Sequence, residues 1–255
     1  MPRPDASQRL AATKPKQGPS QALIASIVAV ILVLGAITTF VIVRSSNSST
    51  KVAVAETPVG GLPNGNGINP YPNVKLQAGA PTVDLYEDFQ CPVCKMLETN
   101  NDSQINAAAQ SGKIKLIYHM MTFLDGNFGN TASALAANAS YCAAADGKFA
   151  EYHHQNYLGQ PAKEGTGYTV AQVKEFGQKA GISGAALTTF NQCVDANTFA
   201  KYVAATQTQS GKNGVTGTPT LFFNGKELSQ SSQQYAELLQ QPNTFDSVLQ
   251  SQTGK

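Results

Sequence analysis

Apolar residues are unevenly distributed along this chain, and their pattern divides it into three parts. Ala22 to Val43 runs without a charge and is dominated by Ile, Val, Leu and Ala. As a helix it would reach roughly 30 Å, the thickness of a bilayer's hydrocarbon core. The nearest small-residue cleavage site, Ala53-Val54-Ala55, lies well beyond it, which favours an uncleaved signal anchor over a removable signal peptide. Residues 44–73 are rich in Ser, Gly and Pro, with few consecutive apolar positions, and read as a flexible linker. A chain of that length spans about 30 Å.

From Val74 onward the periodicity is that of a folded domain without internal repeats. Thr82-Val83-Asp84-Leu85-Tyr86 is β-prone and the run after Cys94 is helix-prone. Lys113-Ile114-Lys115-Leu116-Ile117-Tyr118 alternates and predicts a second strand, following Gly112. Residues 127–209 are alanine-rich and helical, with Phe149, Tyr152, His153 and Tyr157 near one face. Thr169 with Gln172 predicts a capping box, and Gly181 a helix stop. Thr218 to Phe223 regains strand character, Asn224-Gly225 is a hairpin turn, and Lys226 to Leu228 is the returning strand. Ser231 to Gln240 predicts a closing helix, ended by Pro242.

The candidate chemistry sits between the first strand and the first helix, at Cys91-Pro92-Val93-Cys94. A strand, then C-x-x-C, then a helix is the context of a thioredoxin-like redox motif. Cys91 falls at the N-cap and Pro92 at the first helical position, where its missing N–H costs nothing. The unpaired amides and positive end of that helix favour a Cys91 thiolate. Cys94 would be the less exposed, resolving partner. A zinc half-site or a purely structural bridge are the alternatives; zinc would want two more ligands at short spacing, and Cys142 and Cys193 are distant. No metal is expected, and no cofactor beyond a redox-active Cys91–Cys94 disulfide. The element order predicts an α/β, thioredoxin-like fold with an inserted helical domain, preceded by one transmembrane helix. Residues 74–126 and 210–255 form its two parts, and 127–209 the insertion.

Charge fixes the expected topology. Arg3, Arg9, Lys14 and Lys16 in residues 1–21 outweigh Arg44 and Lys51 after the apolar run, so the tail should be cytoplasmic and the domain extracytoplasmic. The net charge of +2 comes from that tail; without it fourteen Lys and Arg face fifteen Asp and Glu. Nothing there suggests a nucleic-acid partner. Outside the membrane, conditions are oxidising, and the four cysteines are an even number. Cys142 and Cys193 are read as a structural disulfide, with a second redox pair or two free thiols as rivals. Adjacent His153 and His154 point to different helix faces, so they are read as packing and solvated surface; His119 is read as packing. Phe89 is a candidate wall for a peptide groove.

Thr218-Pro219 needs its own explanation, since a proline within a strand cannot donate to the ladder. A cis bond or a trans edge-strand proline would each account for it. Together with YEDFQCPVC (Tyr86 to Cys94), GVTGTPTLFFNGKEL (Gly214 to Leu228) completes a pattern that resembles the DsbA-like thiol–disulfide oxidoreductases, and more narrowly their membrane-anchored actinobacterial members. Thr122 to Asp125 and AADGKFAEYHHQNY (Ala144 to Tyr157) also look like stretches of that group. The resemblance covers about residues 74–230. It implies that Cys91 attacks, Cys94 resolves, Pro219 is a cis-proline beside the disulfide, and Thr218 modulates the dithiol. Many thioredoxin-like proteins carry a buried acid six residues before the first cysteine, where it helps move a proton. Here that position is Leu85, so proton transfer would fall to another group, Glu87 among them, or to water.

The expected activity is an extracytoplasmic thiol–disulfide exchange that oxidises secreted or cell-envelope proteins during their folding. Pro92 resembles the oxidising relatives, whereas Val93 offers no charge or hydrogen bond, which suggests an oxidant of intermediate strength. The resemblance implies reoxidation by a membrane oxidase, of the vitamin K epoxide reductase-like type. A monomer is expected. The alternatives are an extracytoplasmic reductase or isomerase, and a non-catalytic tethered chaperone or binding module.

Overall fold

Strand β1 (Thr82–Glu87) is the centre of the molecule. It pairs in parallel with β2 (Lys115–Met120), Thr82 opposite Lys115 and Glu87 opposite Met120. On its other side it pairs antiparallel with β3 (Thr220–Phe223), with Tyr86 opposite Thr220. The short β4 (Lys226–Glu227) completes the order β2-β1-β3-β4. The computed structural model describes residues 56–254; the expected membrane segment 22–43, the tail before it and the tether up to residue 55 lie outside the described residues. Among the described residues no helix is long and apolar enough to cross a membrane.

Parallel neighbours need a crossover, and α1 (Pro92–Gln110) provides it between β1 and β2. Gly112 ends that connection at φ 72°, and a Cβ there would lie 2.3 Å from the Lys75 carbonyl oxygen, so only glycine fits. The Lys113 and Ile114 amides both bond the Ala108 carbonyl, at 2.9 and 3.3 Å. These bonds delay β2, which starts at Lys115 rather than at the expected 113. Asn224 and Gly225 both take positive φ in the β3–β4 turn, as a two-residue hairpin requires.

Between β2 and β3 the chain forms α2 (Phe123–Phe128), α3 (Ala132–Ala143), α4 (Phe149–Leu158), α5 (Val170–Lys179), α6 (Gly184–Asp195) and α7 (Ala200–Lys212). Thr169 and Gln172 form the capping box of α5. Cys142 on α3 and Cys193 on α6 are bridged, with their Cα atoms 5.9 Å apart. After β4 come α8 (Gln233–Gln240), capped by Ser232, and α9 (Phe245–Thr253), which the sequence pattern did not predict. The N-terminus of α9 is capped from another helix. Buried Asn101 of α1 accepts from the Thr244 and Phe245 amides at 2.9 Å each and donates to the Leu238 carbonyl at 2.7 Å.

The expected tether over 44–73 is too long at its C-terminal end. Ile68 is fully buried and exchanges two backbone hydrogen bonds with Tyr118, at 2.8 and 2.9 Å. The Tyr202 hydroxyl reaches the carbonyls of Leu62 and Gly67 at 2.8 and 2.7 Å. Residues in this Gly- and Pro-rich stretch thus cover the open edge of β2, a position that would otherwise invite pairing with another chain.

The Cys142–Cys193 bridge joins residues 51 apart, worth about 4 kcal/mol in the loop-entropy account. Replacing both by serine should lower the unfolding free energy by up to that amount in a urea titration, while the exchange rate of Cys91 stays unchanged. A lost exchange rate at intact stability would instead mark the bridge as a second redox pair.

Candidate functional site: a dithiol at a helix N-terminus

Cys91 is the N-cap of α1, with extended backbone (φ −78°, ψ 118°), and Pro92 is its first helical residue. Both Cys91 and Cys94 are free thiols and both are buried, Cys91 at 6% exposure and Cys94 at 0%. The Cys91 thiol faces the loop before β3 and donates to the Thr218 carbonyl oxygen at 3.4 Å. The Thr218–Pro219 peptide bond is cis. Its position is held from α8 and the loop before it: the Tyr235 hydroxyl donates to the Pro219 carbonyl at 2.9 Å, and the Gln230 amide of that loop reaches the same oxygen at 3.3 Å.

The two thiols are electrostatically unlike. A hydrogen bond from the Cys94 thiol, above all, outweighs burial and lowers the Cys91 pKa to about 6. The Thr218 hydroxyl and the Cys94 and Val93 groups at the helix start add to it. The Thr218 hydroxyl is buried without another partner, so a thiolate is the acceptor it lacks. Burial, the Cys91 sulfur and the charge of Glu87 together push Cys94 well above the ordinary thiol range. One sulfur is therefore set up to attack as an anion while the other keeps its proton. Val93 is half-buried and Pro92 exposed beside them.

The helical block clamps the turn that leads into Cys91. Gln160 donates to the carbonyls of Phe89 and Cys91 at 2.8 and 2.9 Å, and the Tyr168 hydroxyl donates to Phe89 at 2.6 Å. The Tyr157 hydroxyl donates to the Asp88 carbonyl at 3.3 Å. The Asp88 carboxylate, raised to about 7 by burial, accepts from the Ser133 hydroxyl and from the Gln90 and Leu124 amides. Phe89 itself is fully buried against His153 and Tyr157. It is core rather than the expected groove wall, because the tied turn aims it inward.

The family described as Thioredoxin matches residues 77–241, well over half of the sequence. The chain belongs to the thioredoxin family. Solved structures similar to it include reduced DsbA from Mycobacterium tuberculosis, 25% identical with a TM-score of 0.53, covering 71% of this chain and 95% of that one. The MdbA thiol–disulfide oxidoreductase of Corynebacterium diphtheriae is 21% identical, with a TM-score of 0.56 and coverage of 71% and 94%. Oxidised BdbD of Bacillus subtilis is 22% identical, with a TM-score of 0.57 and coverage of 78% and 100%. The last two are likenesses of fold. No curated protein is matched by the sequence.

In this thioredoxin-family chain the structure brings Cys91, Cys94, Thr218 and Pro219 together and leaves Cys142 and Cys193 within the helical block. It also reveals a group the sequence reading missed. His153, expected as packing, lies between two buried acids: its Nε2 is 2.8 Å from Glu87 Oε2 and its Nδ1 3.5 Å from Glu98 Oε2. Two sequence signals point to it in hindsight. Glu87 is two residues beyond Leu85, hence on the same strand face, and Glu98 is one helical turn from Cys94. Asp84 points the other way and pairs with His119 at 3.0 Å.

In the reduced protein, thiolate absorbance should titrate with a midpoint near pH 6 from Cys91 alone, and Thr218→Val should move that midpoint upward. A depressed thiol stabilises the fold when ionised. That share of stability is complete above pH 9 and is lost as the pH falls through about 6. A midpoint near that of a free thiol would contradict the geometry.

Proposed function

We propose that this oxidoreductase is a membrane-tethered, extracytoplasmic dithiol oxidase that introduces disulfides into reduced secreted or cell-envelope proteins. The observation that carries the reading is the Cys91 sulfur at a helix N-terminus, against Thr218 and the cis-Pro219, with its thiolate favoured. A substrate thiolate attacks Cys91 Sγ of the oxidised enzyme. The substrate–Cys91 bond forms, the Cys91–Cys94 bond breaks, and Cys94 leaves with the electron pair and takes up a proton. A second substrate thiolate then attacks the substrate sulfur. Cys91 leaves as a thiolate, and the substrate has lost two electrons to the enzyme.

The direction of this exchange depends on how far the reduced form is stabilised. A thiol at about 6 instead of about 9 favours the reduced enzyme by roughly 4 kcal/mol above pH 9, and by about 1.4 kcal/mol at pH 7. The latter corresponds to about 30 mV of added oxidising power. That supports an oxidant of intermediate strength, in keeping with the apolar Val93. The basic tail and apolar segment 22–43 support the anchored, outward-facing topology. Reoxidation then falls to a membrane oxidase, of the vitamin K epoxide reductase-like type, and the enzyme works as a monomer without metal or cofactor.

Trapping tests the proposal. The full chain carrying Cys94→Ala should accumulate mixed disulfides through Cys91 with secreted proteins and with a membrane oxidase, identified by mass spectrometry. Cys91→Ser should abolish both the adducts and the oxidation of a reduced, unfolded test protein. An unaltered chain that reduces disulfides at a glutathione poise where it should form them would turn the assignment to a reductase or isomerase. A Cys91→Ser chain that still binds extended chains, with no turnover by the unaltered one, would indicate a binding module.

A further inference from the structure

The exchange chemistry leaves one problem to the interior: a proton must leave or reach Cys94 in each half-cycle, and Cys94 is wholly buried. Behind it lies a run of ionisable side chains. Glu87, whose charge acts on Cys94, bonds His153 at 2.8 Å. The other ring nitrogen of His153 faces Glu98 at 3.5 Å. Glu98 in turn lies against Asp102, one turn further along α1. Asp102 is paired at 3.0 Å with His154, whose side chain is 42% exposed.

His154 and Asp102 line an open cleft of about 300 Å³ together with Tyr71, Asn106 and Gln110. At 1.5 Å per residue, its position at Asp102 is about 12 Å along α1 from Cys94. The cleft is therefore displaced along the helix from the end that meets Pro219. Within the run, Glu87 Oε1, both Glu98 oxygens, His153 Nδ1 and the Tyr118 hydroxyl have no hydrogen-bond partner. Asn156, fully buried nearby on α4, leaves its amide oxygen and nitrogen equally unpaired. Buried polar atoms of this kind carry a cost that a merely structural cluster would avoid.

We propose that Glu87, His153, Glu98, Asp102 and His154 form a proton conduit that links Cys94 to solvent through the Asp102–His154 cleft, away from the substrate side. The proposal rests on the dithiol-exchange reading and names the residues that serve its buried half. When the Cys91–Cys94 bond breaks, the Cys94 thiolate takes a proton from the inner end, and His154 draws one from water at the outer end. During disulfide formation the proton runs outward. Cys94 then attacks Cys91 in the mixed disulfide, forming the internal bond and expelling the partner's thiolate.

Burial, then the charges of Glu87 and Asp102, hold the Glu98 carboxyl well above the carboxylate range, which favours its protonated form. The groups facing the run are Glu87 on β1, Cys94, Glu98 and Asp102 on α1, Tyr118 on β2, Glu151, His153, His154 and Tyr157 on α4, Lys179 on α5, and Tyr71 before β1. Tyr118 and Tyr157 are both pushed above the ordinary phenol range, chiefly by burial, and stay protonated. The carboxylates and histidines are the carriers.

The reduced full chain is mixed with excess oxidised glutathione, quenched with acid at intervals and weighed. The first step, glutathionylation of Cys91, and the second, Cys94-dependent release of glutathione, are then read separately. His154→Ala, a surface change, should slow the second step about 5- to 10-fold without altering the first. Added imidazole should restore it. The conservative Glu98→Gln should slow the second step at least as much and flatten its pH profile, with no rescue by imidazole. Unchanged second steps in both variants would overturn the conduit, as would slowing in His154→Ala that imidazole does not relieve. So would a stoichiometric metal ion in the unaltered chain that is lost in Glu98→Gln. Failure of the underlying exchange reading looks different: the unaltered chain would not form the Cys91 adduct at all.

Discussion

The meeting of the α1 N-terminus with the loop before β3 is the contact on which the rest depends. The two sides are 127 residues apart in the chain, yet the Cys91 sulfur lies 3.4 Å from the Thr218 carbonyl. Strand pairing makes this possible. β1 ends beside the start of β3, with Tyr86 opposite Thr220, so the turn leaving β1 and the turn entering β3 emerge at the same edge of the sheet. A helix end supplies positive potential only within about its first turn, and a hydroxyl must be in contact to act on a sulfur. The asymmetry between the two thiols therefore depends on this register being held.

The helical block does much of that holding. Gln160, Tyr157, Tyr168 and Ser133 all spend their polar atoms on Asp88, Phe89 and Cys91, in the turn that carries the dithiol. The turn carries several backbone carbonyls into a buried region, where each would be costly if left unpaired. Donors from α4 and from the loop that follows it satisfy them and fix the turn together. The insertion thus acts as scaffolding for the Cys91 loop. The same block places His153 between Glu87 and Glu98, a polar island inside an otherwise aromatic core of Tyr118, Phe149 and Tyr157.

Much of the fold and half of the site were legible before the structure. β1, the helix start at Cys91-Pro92, the hairpin at Asn224-Gly225 and the α5 capping box are local features, each encoded by residues a few positions apart. α9 was not legible, because its cap is Asn101 on another helix. The packing of Ile68 was hidden for a similar reason. A Gly- and Pro-rich stretch reads as a linker unless the Tyr202 hydroxyl and the free edge of β2 are known to await it. Phe89 and His153 went the same way: sequence assigned them to a helix or turn, but not to a side of the core.

What the amino-acid order determined by itself is the chemistry and its carrier: a C-x-x-C after a strand and at the first residue of a helix, with a T-P before a hairpin. These depend on backbone propensities that act over a handful of residues. Only the tertiary structure decided which groups share the dithiol's surroundings: Thr218 beside one sulfur, and Glu87, Glu98 and His153 behind the other. Burial and charge interactions fall off within a few ångströms through space, irrespective of distance along the chain. Packing therefore had to bring those groups together before their effect on either thiol could be read.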